Sequence, residues 1–214
     1  MQCPRRASEV AAFPPSRMRI VAHAYKDLAQ DKFIIGLKIK TKLPFKGLGI
    51  NAPAREVLHA DLKPGNVLTF QRRGEQDPSV VAKLADFGLA TPLGSQVAGC
   101  NVYTPMYRPV ECWCAGRQKL RLSWQSDVHA LGCVFYDLMC HSGSRFLLPD
   151  IEDLSKVAAP SAAVKRAVCA RLNARMSHCP GAAQLIRECT RDVSARPSLV
   201  QITRGCKHQI DNLI

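Results

Sequence analysis

The stretch Val57-Leu58-His59-Ala60-Asp61-Leu62-Lys63-Pro64-Gly65-Asn66-Val67-Leu68 decides how the chain is read. An apolar pair enters a short polar loop, and a second apolar run leaves it. Inside the loop a carboxylate, an ammonium and a carboxamide stand at Asp61, Lys63 and Asn66. Pro64 and Gly65 turn the backbone between them, so the three side chains can converge on one point. That set suits phosphoryl transfer. Asp61 can accept a hydroxyl proton, Lys63 can offset charge on the moving phosphoryl group, and Asn66 can hold a divalent metal. The plainer alternative is a polar turn between two strands.

Length and composition bound the rest. A chain of 214 residues suits one domain, or one and a half small ones. Ordinary apolar and charged fractions, 47% and 22%, imply a packed core rather than wholesale disorder. The net charge of +13 is unevenly spread: residues 1–73 carry 14 Lys/Arg against 5 Asp/Glu, and the remainder 16 against 12. No zinc-finger spacing or aromatic cluster of an RNA-binding module accompanies the basic excess, so it reads as a solvated face and no nucleic-acid partner is expected. The ten cysteines are scattered without a Cys-x-x-Cys pair, and Cys112 and Cys114 stand too close for the usual zinc knuckle. No signal-peptide core follows Met1, and no run of about eighteen apolar residues could span a bilayer. These features describe an intracellular, reduced, soluble protein without a membrane partner, cytoplasmic in the first instance with a nuclear location left open.

The loop resembles the catalytic loop of eukaryotic protein kinases, His-Arg-Asp-Leu-Lys-Pro-x-Asn, with one departure: Ala60 stands where that family usually has Arg. Small-molecule phosphotransferases share the His-x-Asp spacing and the later Asn, so the loop alone leaves both families open. Downstream residues separate them. Val67–Phe70 and Val80–Ala85 read as two short strands joined by a polar linker, followed by Asp86-Phe87-Gly88. A carboxylate after a strand, with Gly88 two positions on for backbone freedom, resembles the kinase metal-binding motif. Thr104-Pro105-Met106-Tyr107-Arg108-Pro109-Val110-Glu111 resembles the end of the kinase activation segment, which small-molecule phosphotransferases lack. Residues 126–139 form an apolar helix with a capping start at Ser126, similar to the central helix of the kinase C-lobe, with His129 where Trp is usual. Residues 142–159 read as loop, 160–176 as a basic, Ala-rich helix, and 183–198 as a helix, a turn and a Pro-started helix.

The resemblance covers roughly residues 57–210 and implies a mainly α (α+β) fold, a protein-kinase-like C-lobe with a small β-ribbon at the cleft. Fewer than sixty residues precede the loop, too few for the family's first lobe, so that lobe is expected to be missing. Residues 1–16 read as an irregular tail, 17–31 as a helix, 32–56 as a probable insertion within the lobe spanning 17–210, and 211–214 as a second tail. The reaction implied is transfer of the ATP γ-phosphate to Ser or Thr of a protein substrate, with ATP and Mg²⁺ as cofactors. The chain is expected to be a truncated, weakly active or inactive fragment. A non-catalytic kinase-like binding module is the alternative; a small-molecule phosphotransferase is less favoured. By resemblance Asp61 is the base, Lys63 the charge stabiliser, and Thr104 bonds both. Asn66 and Asp86 hold Mg²⁺, and Leu68 lies beneath the adenine. His59 and Phe87 pack as an internal spine, Gly88 frees the backbone, Asp127 holds the loop, and Glu111 pairs with Arg196.

Overall fold

In a computed structural model, which describes residues 57–71, 80–140, 147–148, 160–177, 179–202 and 204–205, short strands come first and helices follow. The strands are β1 (Val57–Leu58), β2 (Val67–Gln71), β3 (Val80–Leu84), β4 (Thr91–Pro92), β5 (Gln96–Ala98) and β6 (Lys119–Arg121). The helices are α1 (Val110–Ala115), α2 (Trp124–Met139), α3 (Pro160–Arg175) and α4 (Pro180–Cys189). The tails, the expected helix over 17–31, the expected insertion and most of the 142–159 loop lie outside the described residues. Within that loop Leu147 and Leu148 are buried.

Among the described residues all strand pairing is antiparallel and two-stranded. β2 and β3 form the expected ribbon, Val67 opposite Leu84, and two further ribbons join β1 to β4 and β5 to β6. Neither of the latter was legible beforehand, because strands of two or three residues carry no periodic signal.

The core lies around α2. Ser126 through Tyr136 are all buried, which explains the apolar character of the helix on every side. The helix begins at Trp124 rather than at Ser126. Extended Ser123 (φ −132°) is the cap position, and Ser126 lies in the first turn, where its hydroxyl donates to Glu111 at 3.0 Å. A tertiary acceptor has taken the hydroxyl from its capping role. α3 buries Val164, Val168 and Leu172, and Met176 continues that four-residue stripe just beyond its end. α4 starts at Pro180, whose missing N–H is no loss in a first turn. It buries Ala182, Ala183, Leu185, Ile186 and Cys189 and packs against α2 and α3. Full burial of a Leu or Ile side chain stabilises by about 1.5–3 kcal/mol, so these stripes hold the helices together. The loop that bears Asp61 rests on the N-terminal end of α2.

Candidate active site

Backbone conformation builds the site. Ala60, Asp86 and Tyr103 have φ of 58°, 58° and 57°, the left-handed region that costs a non-glycine residue about 1–2 kcal/mol. Each adjoins or is a residue of the expected site. Tertiary hydrogen bonds offset the strain at two of them. Asp127, on the first turn of α2, accepts the N–H of His59 at 2.8 Å and of Ala60 at 3.1 Å. It also accepts the Tyr103 hydroxyl at 2.8 Å, and the Tyr103 N–H donates to the Ala60 carbonyl at 2.8 Å. One buried carboxylate thus ties together the residues that precede Asp61 and Thr104. Burial pushes the Asp127 carboxyl above its ordinary value, opposed by those three donors.

Asp61 is the most heavily bonded group in the loop. Its Oδ1 accepts the Thr104 hydroxyl at 2.8 Å and the Thr104 N–H at 2.9 Å. Its Oδ2 accepts Lys63 Nζ at 2.7 Å and, more weakly, Asn66 Nδ2 at 3.3 Å. Lys63 Nζ also donates to Thr104 Oγ1 at 3.1 Å, closing a three-residue ring. Burial alone would raise the Asp61 carboxyl. The bonds from Lys63 and Thr104 and the Lys63 charge outweigh it, holding the group below its ordinary value and ionised at neutral pH.

Asn66 lies in the turn Pro64–Asn66, buried, and donates Nδ2 to the Asp61 carbonyl at 2.9 Å. Both of its side-chain bonds use the nitrogen, so the amide oxygen is left for another partner. The Ala85 N–H donates to the Asn66 carbonyl at 2.9 Å, which sets Asp86 beside Asn66 at the end of the β2–β3 ribbon. A carboxylate and an amide oxygen are the hard donors that Mg²⁺ prefers, alongside water and phosphate oxygens, so the pair fits that ion. Gly88 differs from expectation: the left-handed conformation falls on Asp86 itself. A side chain at Gly88 would meet Asp86 Oδ1 at 3.1 Å, and the glycine N–H instead donates to that oxygen at 3.2 Å. Leu68, on β2, is 45% exposed.

His59 accepts the Asp61 N–H on Nδ1 at 3.3 Å, so its proton belongs on Nε2, which faces the Ala85 carbonyl at 3.0 Å. Its ring meets that of Phe87 at 4.9 Å between centroids. The imidazole therefore links the Asp61 loop to the Asp86 strand end.

Further from the centre, Arg196 grips Glu111 through two parallel bonds of 2.7 Å. The guanidinium is buried and also donates to the carbonyls of Gln125 and Arg191 at 2.8 Å each. Burial raises the Glu111 carboxyl, but the Arg196 bonds and charge outweigh it and hold it low. Beside this pair, His129 is fully buried with neither ring nitrogen hydrogen-bonded, and burial depresses its pKa to about 3.

Arg108 and Gly99 were not singled out from the sequence. Arg108 donates Nε to the Val102 carbonyl at 3.0 Å and Nη2 to the Cys100 and Tyr103 carbonyls at 3.1 and 3.0 Å. Its guanidinium lies 4.5 Å over the Trp113 ring. Gly99 seats the same segment on α1, where a Cβ would come 2.2 Å from the Cys112 carbonyl oxygen. The one sequence signal for Arg108 is that residues 87–110 contain no Asp or Glu, leaving a cation there only carbonyls or water.

The model of the protein kinase domain family matches residues 53–209. The chain belongs to the protein kinase family. Its helix-rich fold with small sheets is consistent with a kinase-like domain. The family's relatives include the serine/threonine-protein kinase nekl-2 of Caenorhabditis elegans, 37% identical over 86 residues, covering 40% of this chain and 21% of the relative. The serine/threonine-protein kinase Nek1 of Toxoplasma gondii is 38% identical over 101 residues, 46% of this chain and 6% of the relative. The serine/threonine-protein kinase crk1 of Schizosaccharomyces pombe is 32% identical over 135 residues, 61% and 36%. The matched part of the chain thus spans well under half the length of these kinases. No helix among the described residues is long and apolar enough to cross a membrane.

Proposed function

We propose that residues 57–205 form the protein-substrate and metal side of a Ser/Thr protein kinase site, equivalent to the family's second lobe. The observation that carries this reading is the ring of Asp61, Lys63 and Thr104, in which an ionised carboxylate is aimed by two donors from a segment 43 residues away. Asp61 accepts the proton of a Ser or Thr hydroxyl. A carboxylate offers about four acceptor positions, all occupied here, so the incoming hydroxyl displaces the longest contact, Asn66 Nδ2 at 3.3 Å. Lys63, bonded to the same carboxylate, faces the charge that develops on the transferred group. Asn66 and Asp86 would hold Mg²⁺, and Leu68 would lie under the adenine of ATP. Bound Mg²⁺ neutralises charge on the phosphate oxygens.

Positioning and electrostatics are nearly the whole of phosphoryl-transfer catalysis, and a misplacement of about 1 Å can cost on the order of a hundredfold. The sequence before residue 57 carries no Val-Ala-x-Lys context or glycine loop of the kind that clamps the β- and γ-phosphates in the family, and on that ground residues 1–214 by themselves are expected to transfer phosphate weakly or not at all. Calorimetric titration of the purified chain with Mg-ATP, with phosphate transfer to a generic basic protein measured alongside, tests this. Weak binding that Asp86→Asn removes supports the metal side. Tight binding with Asp61-dependent transfer overturns the expectation of a weak fragment, and binding unaffected by Asp86→Asn overturns the metal assignment.

A further inference from the structure

We infer that the exposed cations of β6 and of the turn before it form a docking face for an acidic segment of the protein substrate. The inference rests on the kinase reading above and names a substrate class for it, but its test reads binding rather than phosphate transfer.

Across residues 87–126 the chain carries Arg108, Arg117, Lys119 and Arg121 against a single acid, Glu111. That acid is held by Arg196, and Arg108 is occupied by main-chain carbonyls. Arg117, Lys119 and Arg121 are all exposed, and among the described residues no hydrogen bond or ion pair holds their side chains. A solvated surface normally interleaves both signs of charge. A face of one sign raises the local potential for an anion instead.

The fold fixes these charges in a pattern. β5 and β6 pair with Val97 opposite Leu120, both packed against the core. Alternation along the strands then puts Gln96 and Ala98, with Lys119 and Arg121 opposite them, on the outer face. Lys119 and Arg121 stand two positions apart on one strand, about 6.5–7 Å, the repeat of alternate residues in an extended peptide. Gly116, at φ 53°, turns the chain out of α1, and the Gln118 N–H donates to the Ala115 carbonyl at 2.8 Å. That turn sets Arg117 beside the strand. The Cys100 N–H donates to the Gly116 carbonyl at 2.8 Å, so the turn is fastened to the same segment as β6.

Position ties the face to the site. Ala98, opposite Lys119, stands six residues before Thr104, whose N–H and hydroxyl hold Asp61, so the chain between them spans at most about 22 Å. A substrate whose hydroxyl reaches Asp61 therefore touches the ribbon with side chains within roughly eight positions of that hydroxyl. Acidic side chains there meet three cations and no competing carboxylate on the ribbon.

The 214-residue chain is titrated with a labelled peptide that has one central Ser between Glu-rich flanks of about eight residues each, and with a Gln-flanked copy. Fluorescence anisotropy and backbone amide shifts read binding at about 0.1 M salt, where charges further off than about 10 Å are screened. The variants are Lys119→Glu/Arg121→Glu and, as a control for the net charge of +13, Lys165→Glu/Arg166→Glu at exposed positions of α3. The Glu peptide is expected to bind in preference to the Gln peptide and to shift amides at 96–98, 117–121 and 104. Its affinity should fall about tenfold in the ribbon variant, roughly 1.4 kcal/mol, the size of two exposed ion contacts. In the α3 variant it should change less than about twofold. Equal weakening in both variants would mean that net charge alone attracts the peptide, and would overturn the proposal. No binding at millimolar peptide, or full affinity in the ribbon variant, overturns it as well. Shifts at the ribbon without a shift at Thr104 overturn the substrate role. A single-stranded oligonucleotide and phosphatidylserine vesicles are titrated alongside; ribbon-dependent binding of either, tighter than that of the peptide, overturns the assignment to a protein segment. If the amide spectrum shows the ribbon variant unfolded, Lys119→Gln/Arg121→Gln decides, with about a threefold loss expected and unchanged affinity overturning the proposal. A failure of the kinase reading itself would appear in the Mg-ATP titration of Asp86→Asn, separately from these outcomes.

Discussion

Asp61 and Asp86, the two carboxylates nearest the centre of the site, stand in opposite surroundings. Asp61 is buried and saturated by donors from Lys63, Asn66 and Thr104. Asp86 is exposed, and its Oδ1 accepts the Gly88 N–H at 3.2 Å. The left-handed backbone is shared, yet at Ala60 and Tyr103 it is held by Asp127, while at Asp86 no such buried acceptor stands behind it. The side proposed to accept the proton is thus organised by the protein's own donors. The side proposed to hold the metal leaves Asp86 exposed, as a carboxylate must be if it is to bind a hydrated cation.

The contrast breaks first at Asp127. Asp127→Ala strands two buried N–H groups and the Tyr103 hydroxyl, each costing about 1–3 kcal/mol, so urea unfolding should lose about 3–9 kcal/mol in total. Asp86→Ala should leave unfolding nearly unchanged; comparable losses from both would erase the distinction between the two sides.

Arg196→Ala comes next. It leaves the Glu111 carboxylate without its partner in a largely buried site, and about 3–5 kcal/mol should be lost. A loss under about 1 kcal/mol in the same melts would mean that the pair is solvated.

A pH series probes the buried core beside the Glu111–Arg196 pair. His129 has a folded pKa near 3, below its ordinary 6.5, so the unfolded chain binds the proton first. Its cost is absent above about pH 6.5, and stability falls as pH drops from there toward 3, by up to about 1.4 kcal/mol per unit. Glu111, held low by Arg196, adds a loss only below its ordinary 4.5. Unfolding of wild type and His129→Leu should therefore diverge by about 2 kcal/mol at pH 5; parallel curves between pH 7 and 5 would refute the assignment.

Gly99→Ala should cost about 1–3 kcal/mol by overpacking, because the Cβ would have to sit 2.2 Å from the Cys112 carbonyl oxygen. A melting temperature equal to wild type would show that the segment can lift from α1 at no cost.

The smallest effect concerns phosphorylation. With Ala60 unable to gather a phosphate, Thr91→Ala and Ser95→Ala should leave the activity of any longer parent kinase unchanged. An activity abolished by alanine and restored by an acidic residue at either position would contradict this.

The sequence by itself determined the elements and the chemistry of the loop. Asp61, Lys63 and Asn66 lie within six residues around a Pro-Gly turn, so local geometry is enough to bring them together. The basic, Ala-rich helix α3 and the largely apolar helix α2 are likewise legible locally. The pairings of Thr104 with Asp61 and of Arg196 with Glu111 came from resemblance to the family rather than from any pattern in the residues. Three features were left to the tertiary structure: the left-handed backbone at Ala60, Asp86 and Tyr103, the carbonyl contacts of Arg108, and the strandlets β1, β4, β5 and β6. Alanine and tyrosine have no preference of their own for positive φ, and aspartate only a modest tolerance of it. Ala60 and Tyr103 adopt it where the carboxylate of Asp127 on α2 accepts hydrogen bonds from His59, Ala60 and Tyr103.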